Sequence, residues 1–158
     1  MIRNPKFIDI VKFTLYFLIM SLIATVLHEY FHLITLKVLG GKGTIDFSLQ
    51  PIVFPWDAST TRVEIAPKGL ANLLLFHLSG SLATTIILIV MLVYEKDFIK
   101  SLALKFVLAP QLMWSVTEPL YAFGLLPLLI DVNITYHMLL FSSWSILSAF
   151  LLVRYKFR

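Results

Sequence analysis

The sequence predicts an all-α membrane protein of about four transmembrane helices, with a short β-hairpin-like loop between the first and second. Three observations carry that expectation. Of 158 residues, 59% are hydrophobic and only 14% charged, with a mean hydropathy of +0.88; a soluble domain sits at roughly 45–50% apolar and about 25% charged. Long apolar runs recur at about residues 13–36, 70–94, 102–121 and 134–153, each able to cross ~30 Å of hydrocarbon. The one sustained polar stretch, residues 42–68, alternates in a strand-like way on either side of two prolines. Residues 1–158 are read as a single membrane domain.

Composition also narrows the chemistry. There is no cysteine, so neither a disulfide framework nor a thiolate metal site is available. A bound zinc must be held by His, Asp or Glu, a donor set that suits a catalytic site better than a structural one. The net charge of +4 lies at the ends and in loops. No basic stripe is interleaved with exposed aromatics, so nucleic acid is not an expected partner. The basic segment Met1 to Lys6 ahead of an apolar run imitates a signal peptide. The run is too long for one and contains the candidate site, so it is read as retained.

Within the first span, His28, Glu29 and His32 are the only side chains that carry or gain a charge near neutral pH. Such groups are costly at bilayer depth and mark functional sites. His28 and His32 stand one helical turn apart on one face, where two imidazoles can share a metal ion. Glu29 follows the first ligand and is placed to act as general base on water beside the metal. This is the H-E-x-x-H spacing; the competing structural role is hydrogen bonding between helices. Thr25, Ala24 and Ser21 lie on the His28 face, and such small residues let a second helix approach closely. Gly40-Gly41 closes the helix.

In the loop, Ile45 to Leu49 and Thr61 to Ile65 flank Pro51 and Pro55 and read as two short strands. An edge strand beside a cleft can pair with an extended substrate; a plain connection is the alternative. The second span carries Asn72, His77, Ser79, Gly80, Ser81, Thr84 and Thr85 in its first half and is apolar from Ile86 to Val93. Its first half is therefore expected to face the protein interior. The third span contains Pro110, Gln111 and Thr117-Glu118-Pro119; Pro110 should kink it or free a carbonyl. An apolar segment broken by Gly124 and Pro127 then ends at Asp131, before the last span and the basic tail of Arg154, Lys156 and Arg158.

Four spans place both ends of the chain on one side. Nine of the Lys and Arg residues fall on that side (Arg3, Lys6, Lys12, Lys96, Lys100, Lys105, Arg154, Lys156, Arg158) and four on the other (Lys37, Lys42, Arg62, Lys68). The positive-inside rule then favours cytoplasmic ends.

A catalytic zinc takes three protein ligands and leaves a position for water. Candidates for the third are Asp131, Glu118, His137 and His77. Asp131 is preferred, because it follows a broken helix, and irregular backbone at membrane depth is tolerated only around a cavity or the protein interior. Glu118 comes next, as an acid in an apolar run that needs a partner.

The order of these features resembles the site-2 protease family of intramembrane zinc metalloproteases. HEYFHLITLKVLGG is similar to that family's H-E-x-x-H helix and its glycine ending. LSGSLATTI is similar to the small-residue motif of the next helix, and GLLPLLID to the segment that supplies an aspartate ligand. The likeness covers roughly residues 21–131, and only its first motif is specific. Ser81 stands where the family often has proline, Gly124 near an expected asparagine, and Val132 in place of glycine; the spacing from Pro127 to Asp131 is one residue short. The asparagine's oxyanion contact has no counterpart. The resemblance implies one zinc ion per chain on His28, His32 and Asp131, with Glu29 as base. In relatives whose first span carries the motif, the site lies toward the cytoplasm, whereas cytoplasmic ends would put His28 and His32 in the outer half.

The expected function is zinc-dependent cleavage of a peptide bond in or near a transmembrane segment, by an integral, multi-pass membrane protein. Its partners would be the lipid bilayer and a membrane-protein or membrane-bound peptide substrate. Two alternatives stand beside it: a catalytically degenerate relative with a binding or regulatory role, and a small non-enzymatic transporter or scaffold.

Overall fold

The computed structural model describes residues 7–47 and 59–123. In chain order these form helix α1 (Phe7–Val38), strand β1 (Lys42–Phe47), strand β2 (Ser59–Ile65), helix α2 (Leu70–Tyr94) and helix α3 (Phe98–Ala122). The mostly helical architecture and the hairpin between the first two helices match the expectation. The fourth span, together with Asp131 and His137, lies outside the described residues.

Among the described residues, two helices rather than four, α1 and α2, are long and apolar enough to cross a membrane. Helix α3 carries Lys100, Lys105, Gln111, Glu118 and two internal prolines. These polar groups are the reason it falls short, although it is as long as α2.

Helix α1 is the longest of the described elements because neither Gly nor Pro interrupts residues 7–38. Its buried residues are Met20, Ser21, Ala24, Thr25, His28, His32 and Leu36, at the three- and four-residue spacing of one helical face. The small residues expected to admit a neighbouring helix are thus inside. The other face turns Leu15, Leu18, Ile19, Leu22 and Ile23 outward, each 43–56% exposed. The polar groups of the helix thus lie on its inner face and its outer face is aliphatic. The helix stops in a Schellman arrangement: the Gly41 N–H donates to the Leu36 carbonyl at 2.8 Å and the Gly40 N–H to that of Lys37 at 3.1 Å. Gly40 has φ 79°, which a residue with a Cβ reaches only under strain.

The strands pair antiparallel, with Thr44 opposite Arg62, Ile45 opposite Thr61 and Phe47 opposite Ser59. Both strands contact α1. The alternation noted in the sequence therefore reports a real hairpin, whose first strand begins three residues before Ile45.

Contacts at two levels set the helix directions. Near one end, the Lys12 ammonium bonds the Asp97 carboxylate. Asp97 also caps α3, its Oδ1 accepting the Lys100 N–H at 3.0 Å. Farther along, α1 meets α3 again through His28, Gln111 and Glu118. Helix α3 therefore runs parallel to α1, and α2 returns antiparallel between them. Met20 and Ala24, Leu88, and Leu104, Val107 and Leu108 form the apolar cluster where the three helices meet. Above it sit the histidines.

Candidate metal centre

His28 and His32 are 7% and 6% exposed on the inner face of α1, and both rings are held by the nitrogen that faces away from the partner ring. His32 Nδ1 lies 2.7 Å from the Phe76 carbonyl oxygen of α2. A carbonyl only accepts, so Nδ1 carries the proton and a neutral ring leaves Nε2 as a bare lone pair. His28 Nδ1 lies 2.9 Å from Gln111 Oε1 of α3, and donation to that oxygen likewise turns the His28 Nε2 lone pair inward. The two Nε2 atoms face each other at 3.0 Å. Glu118 Oε1 closes the triangle, 2.9 Å from His28 Nε2 and 3.5 Å from His32 Nε2.

Two lone pairs and a carboxylate converging in a buried place require a positive centre among them, either a shared proton or a cation. The donor set fits a metal on three further counts. Ligand atoms of His28, His32 and Glu118 lie within 4.8 Å of one another. Both imidazoles have their outer nitrogens anchored, which is how protein metal sites orient histidine ligands. Glu118 Oε2 is buried with no hydrogen-bond partner among the described residues. A buried carboxylate oxygen left unpaired is costly, and a metal ligand would relieve it. The group could hold a metal ion.

The helices approach closely here because Gly80 lacks a side chain. A Cβ at that position would lie 2.7 Å from the His28 carbonyl oxygen and press on the His32 imidazole. Ser79 Oγ donates to the Phe76 carbonyl at 2.7 Å, supporting the acceptor that fixes His32.

No protein-family model, curated protein or solved structure matches the chain. The centre is characterised by its geometry and donor chemistry.

The fold brings together three of the residues singled out in the sequence: His28, His32 and Glu118. Asp131, the preferred third ligand, and His137 lie outside the described residues. His77 sits beside Phe76 on α2, with ring centroids 5.0 Å apart, and is not among the three grouped side chains. Glu29 is half-buried but belongs to another face: it follows His28 by one residue, about 100° around the helix, and its Oε2 accepts the Thr61 main-chain N–H at 2.6 Å. Thr61 Oγ1 donates to the Glu29 carbonyl at 3.1 Å. The base candidate thus rests against strand β2.

Sequence reasoning assigned no role to Gln111, the Phe76 carbonyl or Thr61. One signal was present for Gln111: it precedes Glu118 by seven residues, two helical turns, so the two share a face. The carbonyl and the Thr61 N–H are main-chain groups with no residue-type signature.

Proposed function

We propose that the chain is a zinc-dependent intramembrane endopeptidase of the site-2 protease kind, an integral multi-pass membrane protein that cleaves a peptide bond in or near a transmembrane segment. The single observation that carries this reading is the convergence of the two H-E-x-x-H histidines with Glu118 inside the helix bundle. Three ligands of this type leave a zinc ion one position for water or substrate. In this proposal Glu118 is the third ligand, the role that the resemblance assigns to Asp131. The exposed aliphatic side of α1 supports residence in a bilayer, as does the length and apolar character of α1 and α2.

Zinc at this position would supply Lewis acidity, acidifying a water molecule and polarising the scissile carbonyl. The chain's own residues do the rest. Gln111 and the Phe76 carbonyl hold the two imidazoles in the ligating tautomer. Glu29 takes the proton from the attacking water and passes it to the leaving amine. The substrate arrives unwound, because a helical peptide bond is shielded by its own hydrogen bonds, and the hairpin beside Glu29 offers it an edge.

The test is Glu29→Gln in protein purified into lipid nanodiscs. Zinc should remain bound while cleavage of a transmembrane peptide is lost; undiminished cleavage overturns the assignment. A second reading, a metal-holding protein that binds without cleaving, is favoured by the contact of Glu29 with Thr61. It predicts stoichiometric zinc with no turnover of any membrane peptide by the wild type.

A further inference from the structure

We infer that the Thr61 main-chain N–H is a subsite for a substrate carbonyl, occupied at rest by the Glu29 carboxylate, so that an arriving extended peptide releases the base. This deepens the protease reading and rests on it. Thr61 pairs with Ile45 across the ladder, yet its N–H points to Glu29 Oε2. In an antiparallel pair, main-chain N–H groups alternate between the partner strand and the open side. Thr61 therefore presents its donor on the outer edge of β2. An edge donor of this kind is what a strand-adding peptide uses, and its natural acceptor is a peptide carbonyl.

Glu29 Oε2 stands where that carbonyl oxygen would sit. The carboxylate contact is a charge-assisted bond and holds the resting state firmly. A peptide offers one carbonyl in exchange and gains further ladder bonds along β2, which a single side chain cannot make. Thr61 also carries a second attachment, its hydroxyl on the Glu29 main-chain carbonyl. That bond does not involve the carboxylate, so β2 stays docked on α1 when the N–H changes partner. The freed carboxylate is then one residue from His28, available to take a proton from water. A substrate that is still helical has no free carbonyl to offer and leaves Glu29 held. The contact thus couples unwinding of the substrate to availability of the base.

The test reads the Thr61 amide itself, by hydrogen exchange of the full chain in detergent micelles. The probe is a capped peptide of alternating valine and threonine. Glu29→Ala should speed exchange at Thr61 by about tenfold, the equivalent of one charge-assisted hydrogen bond, while the β1–β2 ladder amides stay protected. Adding the probe should restore protection in Glu29→Ala. If Glu29→Ala loosens the whole hairpin, Glu29→Gln takes its place, and a smaller rise confined to Thr61 is expected. Exchange at Thr61 that is indifferent to Glu29, or a probe that gives no protection, overturns the inference. Its failure is separable from that of the protease reading. Turnover with a Glu29-independent Thr61 amide sinks only the subsite; a Glu29-dependent amide in a protein that cleaves nothing sinks only the protease.

Discussion

His28 Nε2 and Glu118 Oε1 stand 2.9 Å apart although 90 residues separate them in the chain. The pair ties the first helix to the third just beyond the apolar cluster where the three helices meet. It also defines what the centre needs: an inward-facing nitrogen on one helix and a dry carboxylate on another, with the supporting groups that aim each of them.

Gln111 is the first of those supports. Replacing it with leucine removes the acceptor that fixes the His28 tautomer while leaving all three ligands in place. Zinc affinity should fall about 10–100-fold, the usual effect of losing an outer-shell partner. Competition with a chromophoric chelator measures it. Glu118→Ala, which removes a ligand, should weaken binding more than Gln111→Leu.

Gly80→Ala tests the close approach of α2. The added methyl would meet the His28 carbonyl oxygen at 2.7 Å, and overpacking of this kind costs about 1–3 kcal/mol. Thermal unfolding in detergent should show a lower midpoint, and zinc affinity should fall with it because the methyl also presses on His32. Ser81→Ala, one residue further along α2, should leave zinc affinity unchanged.

At the opposite end, the Lys12 ammonium bonded to Asp97 holds that carboxyl below the usual carboxylate range, helped by the Lys100 N–H. A carboxyl depressed in the folded state contributes stability above its unfolded value of about 3.9 and loses it as pH falls through the folded value. Lys12→Met should therefore narrow the difference in stability between neutral pH and strongly acid pH. Because the Asp97 side chain is partly exposed, the effect should be small and should fade in high salt. Unfolding midpoints compared across pH at two salt concentrations check it.

Glu29→Gln should retain zinc and lower cleavage of a transmembrane peptide about a hundredfold or more, as expected for loss of a general base. Metal analysis and a cleavage assay on the same preparation separate this outcome from simple unfolding.

Much of the bundle was legible in the chain because long apolar helical runs leave strong local marks. His28 and His32 stood out as chargeable groups in an apolar run. Ser21, Ala24 and Thr25 announced the close-packed face by their size, and Gly40-Gly41 the end of the helix. The strands on either side of Pro51 and Pro55 showed through simple alternation. The carboxylate was not legible in the same way. Asp131 and Glu118 each followed or preceded a proline in an apolar stretch, and nothing local says which one a folded chain returns to His28. The seven-residue interval from Gln111 to Glu118 was the available clue, since it puts an amide and an acid on one face. Glu29 illustrates a different gap. Helical geometry rotates it off the His28 face, but what it meets there depends on a hairpin that arrives 32 residues later in the chain.

The most direct test of the centre is the zinc content of purified wild type, Glu118→Ala and Asp131→Ala, each checked for folding by its unfolding transition. The His28–His32–Glu118 account predicts one zinc per chain in wild type and in Asp131→Ala, and none in Glu118→Ala. Zinc retained by folded Glu118→Ala, or lost from folded Asp131→Ala, would contradict it.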